Sequence, residues 1–490
     1  MTALVSLDAR TGQPCGEPLP TATLVDIDAA VQAAQAAAAD WGASDGATRA
    51  RLLRELAQAL EADREALVAC ADRETALGEV RLQGELDRTA FQLRRFASLA
   101  EQGTPFVRVD DPAVAGAPPV GHPAMWRQRV PLGPVAMFAA SNFPFAFSVL
   151  GGDTASALAA GCPVVVKAHP GHPALSQQVM ALVRPVLARL GLPAGLVGMV
   201  QGAAVEVGVA LIRHPLIAAG AFTGSTRGGI ALLAEANARP RPIPFYGELG
   251  AINPVVALPA ALAARGAELA TLLAGSITLG CGQFCTNPGL IVVIDGAATD
   301  AFVAGLAEAI APLQPHAMLT PGMRRAFDAG VQHLLQAGAQ PLVQGAGQAS
   351  APGPHLLQVP ATRFIDTPAL REEVFGPSSL IVRCADEAEV LRVLDAVGGS
   401  LTVTLWGVDD DTPVNRALVR GATAVAGRVL FSGVPTGVAV TAAQQHGGPW
   451  PASTAPMTTS VGDAALDRFL RPVCLQDAPA WLVQRQGVPF

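Results

Sequence analysis

A chain of 490 residues is too long for one ordinary domain, and with half of them hydrophobic it can bury sizeable cores, so two or three domains are expected. A net charge of −7 without any basic stripe excludes nucleic acid as an expected partner, and a charged fraction of only 15 % suggests surface buried in an oligomer. The seven cysteines are odd in number and scattered, and no signal peptide is read ahead of them, so they are expected to be reduced thiols of a cytoplasmic protein.

The first twenty residues, rich in Gly and Pro, read as a strand or loop lead-in. From Asp26 to Trp41 the pattern is helical, with Asp26 as cap and Ile27 and Val31 on one face. Arg49–Glu61, Arg64–Thr75 and Val80–Glu101 repeat an amphipathic pattern, a packing layer with solvated charges. Between Thr104 and Arg129 two extended patches, Phe106–Asp110 and Met125–Val130, read as a β-hairpin arm.

Strand and helix then alternate. Pro134–Ala139 reads as a buried strand, followed by the bend Ser141–Pro144 and a helix from about Phe147 to Ala160. Pro163–Ala168 is a second strand, with His169–Pro173 as its exit and a helix over Leu175–Leu190. Val197–Val200, a helix at Glu206–Arg213 and the strand Ala218–Thr223 follow. This alternation predicts a parallel, doubly wound sheet with a nucleotide site at the strand C-termini. The uncharged run Leu132–Gly152 contains Pro134, Asn142 and Pro144, which fit a buried strand, loop and helix start better than a span, so no membrane is expected. The loop Thr223–Gly229 departs from G-x-G-x-x-G. Backbone N–H groups at a helix N-terminus favour phosphate, and a glycine helix cap without ligand reads equally well.

After Pro244 the pattern restarts. Phe245–Pro254 carries Glu248 in an apolar, glycine-flanked strand exit. The helix Pro259–Gly275, with Pro259 in its first turn, leads to Gly282–Gly289, a tight loop presenting Cys285. A reactive cysteine needs donors or positive charge beside it. Taken alone, a cysteine is more often a small buried apolar residue than a nucleophile. Cys281 lacks further ligands at metal spacing, so it reads as packing and no metal is expected. Strands at Leu290–Asp295, Leu380–Cys384, Leu401–Trp406 and Arg428–Ser432, with helices at Ala301–Leu313, Pro321–Ala337 and Asp386–Val397, make a second α/β domain. The expected division is 1–103 with 130–245, then 246–445, with 104–129 and 446–490 as arm and tail.

Short motifs then line up in order: F-A-A-S-N-F-P at Phe138–Pro144, V-V-V-K-A-H-P at Val164–Pro170, F-T-G-S-T-R-G-G at Phe222–Gly229, E-L-G-A-I-N-P at Glu248–Pro254, G-Q-F-C-T at Gly282–Thr286 and E-E-V-F-G-P at Glu372–Pro377. On these the sequence is identified as a member of the aldehyde dehydrogenase superfamily. The resemblance implies two Rossmann-like α/β domains, for cofactor and catalysis, and a small β oligomerisation arm, hence a homodimer or homotetramer. It implies that Cys285 attacks an aldehyde, that Asn142 and the Cys285 N–H receive the thiohemiacetal oxyanion, that hydride leaves to NAD or NADP, and that Glu248 activates the water that hydrolyses the thioester. Set among Phe245, Leu249 and glycines, Glu248 is expected to have a raised pKa.

For the cofactor, the resemblance assigns Lys167 to a ribose, Gly224 and Ser225 to the pyrophosphate and Gly229 to the later part of that loop. Glu373 and Phe375 fall beside the nicotinamide ribose, and His169 is a candidate by position. Ser141 stands where many members have Trp. Pro170 stands where NAD-preferring members have Glu, which removes a repulsion from a 2′-phosphate and leaves Lys167 and His169 nearby. NADP is therefore expected to serve at least as well as NAD.

K-A-H-P-G-H-P at Lys167–Pro173, Val205–Gly208, Arg213–Ile217 and the tail Thr459–Cys474 resemble the NADP-accepting branch that includes 2,5-dioxopentanoate (α-ketoglutarate semialdehyde) dehydrogenases. That branch also holds enzymes for longer aliphatic aldehydes. CoA-acylating relatives tend to lack the Glu at 248, and a non-catalytic member would lack Cys285, Glu248 or Asn142. A keto-acid aldehyde requires an Arg or several N–H donors at the far end of its pocket, and the sequence names none.

Overall fold

The computed structural model describes residues 3–483. Its first sheet has five strands, in spatial order Val197–Val200, Val164–Lys167, Val135–Phe138, Ala219–Thr223 and Phe245–Glu248. All neighbours are parallel. Such strands are covered on both faces and so read as continuous apolar runs. Val135, Met137, Val164 and Val166 face one helical layer, and Ala136, Phe138 and Val165 the other. The register places Phe138 beside both Lys167 and Phe222, and Thr223 beside Glu248. The strand ends therefore converge on one edge.

The second sheet has seven strands, in the order Gln340–Gln344, His355–Pro360, Ser378–Cys384, Leu290–Ile294, Pro254–Ala257, Ser400–Trp406 and Ala426–Leu430. The edge strand Gln340–Gln344 is antiparallel, and the other pairings are parallel. Val256, Val292 and Val382 point into one core and Val255, Ile291 and Ile381 into the other. A small antiparallel sheet joins the hairpin Val109–Asp111 and Met125–Pro131 to Leu470–Gln476. Two α/β sheets and a β arm match the expected fold class.

Local features differ from the sequence reading, which lacks the strands Pro254–Ala257, Gln340–Gln344 and His355–Pro360 and the helix Pro413–Val425. The first helix starts at Leu24, and Thr23 is its cap, in a capping box with Asp26. The helix expected from Phe147 begins only at Gly152. Before it the chain doubles back so tightly that a Cβ at Gly151 would lie 2.4 Å from the Ala146 carbonyl oxygen. The Glu85 carboxylate holds that bend by accepting the Phe145 and Ala146 N–H groups at 2.8 and 3.0 Å.

The largest difference concerns 446–461, assigned from sequence to the arm and tail. This segment runs along the free edge of the first sheet. Leu249 N donates to Ala452 O at 2.8 Å, Thr454 N donates to Gly247 O at 3.0 Å, and Glu248 pairs with Ser453. Of the tail, Leu470–Gln476 joins the arm, and 484–490 lie outside the described residues.

Candidate active site

The helix Pro259–Thr278 runs into a turn in which Gly280, Cys281 and Gly282 all take positive φ, at 56°, 60° and 64°. Glycine at 282 is dictated by close approach, since a Cβ there would lie 2.2 Å from the Gly376 carbonyl. Cys281 is fully buried beside Met318, Phe327 and Val331, and burial pushes its thiol up to about 12. It packs, as the sequence reading holds. Gln283, also fully buried, donates to Gly280 O and accepts from Leu319 N at 3.0 Å. Asn253 anchors the far side, donating from Nδ2 to Cys285 O at 2.8 Å and to Asn287 O at 3.0 Å. Cys285 is thus fixed by backbone contacts on both sides.

Three side chains meet at the thiol. Cys285 Sγ lies 3.4 Å from His446 Nε2, and that nitrogen lies 2.9 Å from Glu248 Oε1. Glu248 Oε2 accepts a hydrogen bond from the Ser460 hydroxyl. The His446 and Glu248 side chains are 1 % and 4 % exposed, so solvent screens their interaction little. The three donor atoms lie within 4.8 Å of one another, a spacing that serves one small ion as well as one shared proton. Asn142, buried, donates Nδ2 to Gln283 O at 3.0 Å. That bond aligns its amide with the nucleophile loop and leaves a second N–H.

The pKa expected for Glu248 is corrected here. Burial alone pushes it up, but the His446 imidazole and hydrogen bonds from His446, Ser460 and Cys285 outweigh burial, and the carboxyl lies below its ordinary value. Cys285 moves the other way. Burial and the Glu248 charge hold its thiol well above the usual range. The resting site therefore pairs an ionised carboxylate with a neutral thiol. His446 and Ser460 are the functional side chains that sequence reasoning missed. They lie in stretches without periodicity, and the only signal was polar residues amid Gly and Pro.

The cofactor candidates gather at the strand ends of the first sheet. Lys167 Nζ donates to the Gly202 carbonyl at 2.8 Å rather than to a carboxylate, and burial pulls it down to about 8. His169 Nδ1 accepts from Gly171 N, and burial, with His172 and Lys167 nearby, keeps its pKa well below the ordinary value. It is neutral, and with Nδ1 accepting it offers an Nε2–H donor in place of a positive charge. Gly224 and Ser225 are exposed at the head of the helix Thr226–Asn237, where the Ser225 hydroxyl caps Gly228 N. Gly229 is buried instead, and a Cβ there would lie 2.1 Å from Leu249 Cδ2. It allows close packing of the helix on the neighbouring loop.

Glu373 accepts from Ala251 N at 3.3 Å, and burial raises it to about 7. With Phe375 it borders a small cavity shared with Ala251, Gly282 and Asn287, and its charge is felt at Cys285. The Thr223 hydroxyl at the adjoining strand end is buried without a hydrogen-bond partner. An orphaned hydroxyl, an open helix N-terminus and a carboxyl with one backbone donor fit a dinucleotide with ribose hydroxyls and phosphates.

A thiol with its own base and acid partner, placed beside such a strand edge, defines oxidoreductases that carry an acyl group on cysteine. Comparison with known proteins gives the family. The profile of the aldehyde dehydrogenase family matches residues 4–448, and the chain belongs to that family. It is 46 % identical over 480 residues to alpha-ketoglutaric semialdehyde dehydrogenase 2 of Azospirillum brasilense, covering 97 % of this chain and 91 % of that protein. It is 42 % identical over 492 residues to the alpha-ketoglutaric semialdehyde dehydrogenase of Acinetobacter baylyi, covering 99 % and 93 %. The salicylaldehyde dehydrogenase from Pseudomonas putida G7 superimposes with a TM-score of 0.82 at 24 % identity over 100 % of this chain and 96 % of that one, a likeness of fold.

Proposed function

We propose that this aldehyde dehydrogenase oxidises 2,5-dioxopentanoate to 2-oxoglutarate, with NADP serving at least as well as NAD. The observation that carries the chemistry is His446 Nε2, placed 3.4 Å from the Cys285 thiol and 2.9 Å from Glu248 Oε1. The two extensively matching relatives, both named for that semialdehyde, support the substrate. Glu248 speaks against a CoA-acylating activity, and Cys285, Asn142 and Glu248 together speak against a non-catalytic role.

His446 donates its Nε2 proton to Glu248 Oε1, and the ionised carboxylate accepts the proton of the Cys285 thiol. His446 and Ser460 hold that carboxylate in place, and the proton passes on to solvent before the second step. The thiolate adds to the aldehyde carbon, and its oxygen turns toward the second Asn142 N–H and the Cys285 N–H. Loss of one such donor costs about 3–4 kcal/mol in the barrier. Gly224, Ser225, Lys167, Glu373 and Phe375 would hold a nicotinamide dinucleotide, which would supply the hydride acceptor when bound. Glu248 then takes a proton from the water that attacks the thioester, and Cys285 leaves as thiolate to be reprotonated. Ser460 positions the carboxylate for that step.

Pro170 and Lys167 support NADP use. The exposed edge strand Val109–Asp111 supports pairing of the arm with a second copy, as a homodimer or homotetramer. The seven free cysteines support a cytoplasmic setting. The test is reduced-nicotinamide absorbance with 2,5-dioxopentanoate, hexanal and decanal on one preparation, with and without CoA. The semialdehyde should give the highest kcat/KM and CoA should not raise the rate. A clear preference for the long apolar aldehydes would overturn the substrate.

A further inference from the structure

We propose that Arg88 anchors the carboxylate at the far end of an α-keto-acid aldehyde; the inference rests on the substrate reading above and names its specificity residue. The helix Glu79–Glu101 turns Arg81, Glu85 and Arg88 to one side, at the three- and four-residue spacing of a helix face. Two of them fix the bend that carries Asn142. Arg81 donates to Asn142 O at 2.7 Å and lies over the Phe143 and Phe284 rings, and Glu85 accepts the Phe145 and Ala146 N–H groups.

Arg88 is different. Its Nη1 donates to Val438 O, and its guanidinium lies 5.9 Å from the Phe147 ring. Its Nε and Nη2 are buried with no hydrogen-bond partner. These two nitrogens form one edge of the planar group, the parallel N–H pair that a carboxylate meets with both oxygens. Glu85 does not close onto that edge, since its Oε2 is likewise without a partner. Around Arg88 the wall is apolar, built from Phe143, Phe147, Val438 and Val440. A buried, bare guanidinium edge in such a wall is costly unless a ligand completes it.

The position suits the substrate. The charge of Arg88 is felt at both Cys285 and Glu248. In 2,5-dioxopentanoate the carboxylate carbon is four C–C bonds, about 5 Å, from the aldehyde carbon that Cys285 attacks. Arg428 is a second guanidinium felt at Cys285, but its Nη atoms hold Pro435 O and Gly437 O at 2.7 and 3.0 Å. Only its Nε is free, so it offers no fork and serves the loop instead.

The experiment compares kcat/KM for 2,5-dioxopentanoate with that for pentanal, in wild type, Arg88→Met and Arg88→Lys. The ratio is read, so a general loss of folded enzyme cancels. In Arg88→Met the ratio should fall roughly 30- to 100-fold, mainly through KM. Arg88→Lys, which keeps the charge but not the fork, should fall between. A ratio unchanged in both variants, with wild type favouring the keto acid, overturns Arg88 and leaves the substrate standing. A wild type that does not favour the keto acid overturns the substrate reading and this inference with it.

Discussion

Replacing Glu373 by Gln should stabilise the cofactor-free protein at pH 8. The half-buried carboxyl accepts one backbone N–H, and desolvation raises it from 4.5 to about 7. Between those two values the folded state binds more protons than the unfolded state, so stability falls as pH rises. Each pH unit in that window costs about 1.4 kcal/mol, which accumulates to about 3 kcal/mol by pH 8. The Gln side chain keeps the acceptor for Ala251 N and carries no charge to desolvate. The expected result is a variant more stable by up to about 3 kcal/mol at pH 8, with the advantage fading toward pH 4.5. Urea unfolding of both proteins across that range, without nicotinamide, measures it. A difference that stays flat with pH, or a variant that is less stable at pH 8, would refute the argument. Turnover should fall all the same, because the ribose loses its carboxylate.

Glu248→Gln should leave a slower burst of reduced cofactor followed by a steady state slowed further, roughly 100-fold, because the thiol can lose its proton to solvent while the thioester lacks its base. Disappearance of the burst would show that Glu248 matters most in acylation. His446→Gln should slow the burst itself by about 10²-fold, since the Glu248 carboxylate that takes the thiol proton loses its Nε2 donor. An unaltered burst rate would remove His446 from the proton path. Cys285→Ala should abolish turnover with cofactor binding nearly intact by titration; retained turnover would mean another thiol is the nucleophile. The ratio of kcat/KM for NADP over NAD should decline as pH rises through about 8, where Lys167 loses its charge. A ratio constant with pH would show that Lys167 does not face the 2′-phosphate.

The sequence was most legible where chemistry and chain coincide. Cys285, Glu248, Asn142 and Lys167 each sit in a short motif at a strand or helix end, and most buried parallel strands announce themselves as apolar runs, with Pro254–Ala257 and His355–Pro360 as the exceptions. The edge strand Gln340–Gln344 was invisible because both its faces are largely exposed and it has no pattern to read. Glu248 was misjudged for a related reason. Its chain neighbours Phe245 and Leu249 suggest an apolar surround, but the atoms that set its charge come from His446 and Ser460, brought alongside by tertiary folding. Arg88 was read as one solvated charge on an amphipathic helix. Periodicity identifies a face, but it does not say whether a charged face meets water or a cleft.

The crossing of 446–461 over the first sheet has a consequence for synthesis. A ribosome releases this chain from its amino end, and early segments begin to fold as they emerge. All five strands of the first sheet and the loop bearing Cys285 leave the exit tunnel well before His446 and Ser460 do. During that interval the nascent protein has its nucleotide-type strand edge and its thiol, but neither the imidazole nor the hydroxyl that completes the catalytic carboxylate. Chemical competence is therefore among the last properties the polypeptide acquires, and a chain that terminates after residue 445 is left with a catalytic carboxylate that lacks its His446 and Ser460 donors.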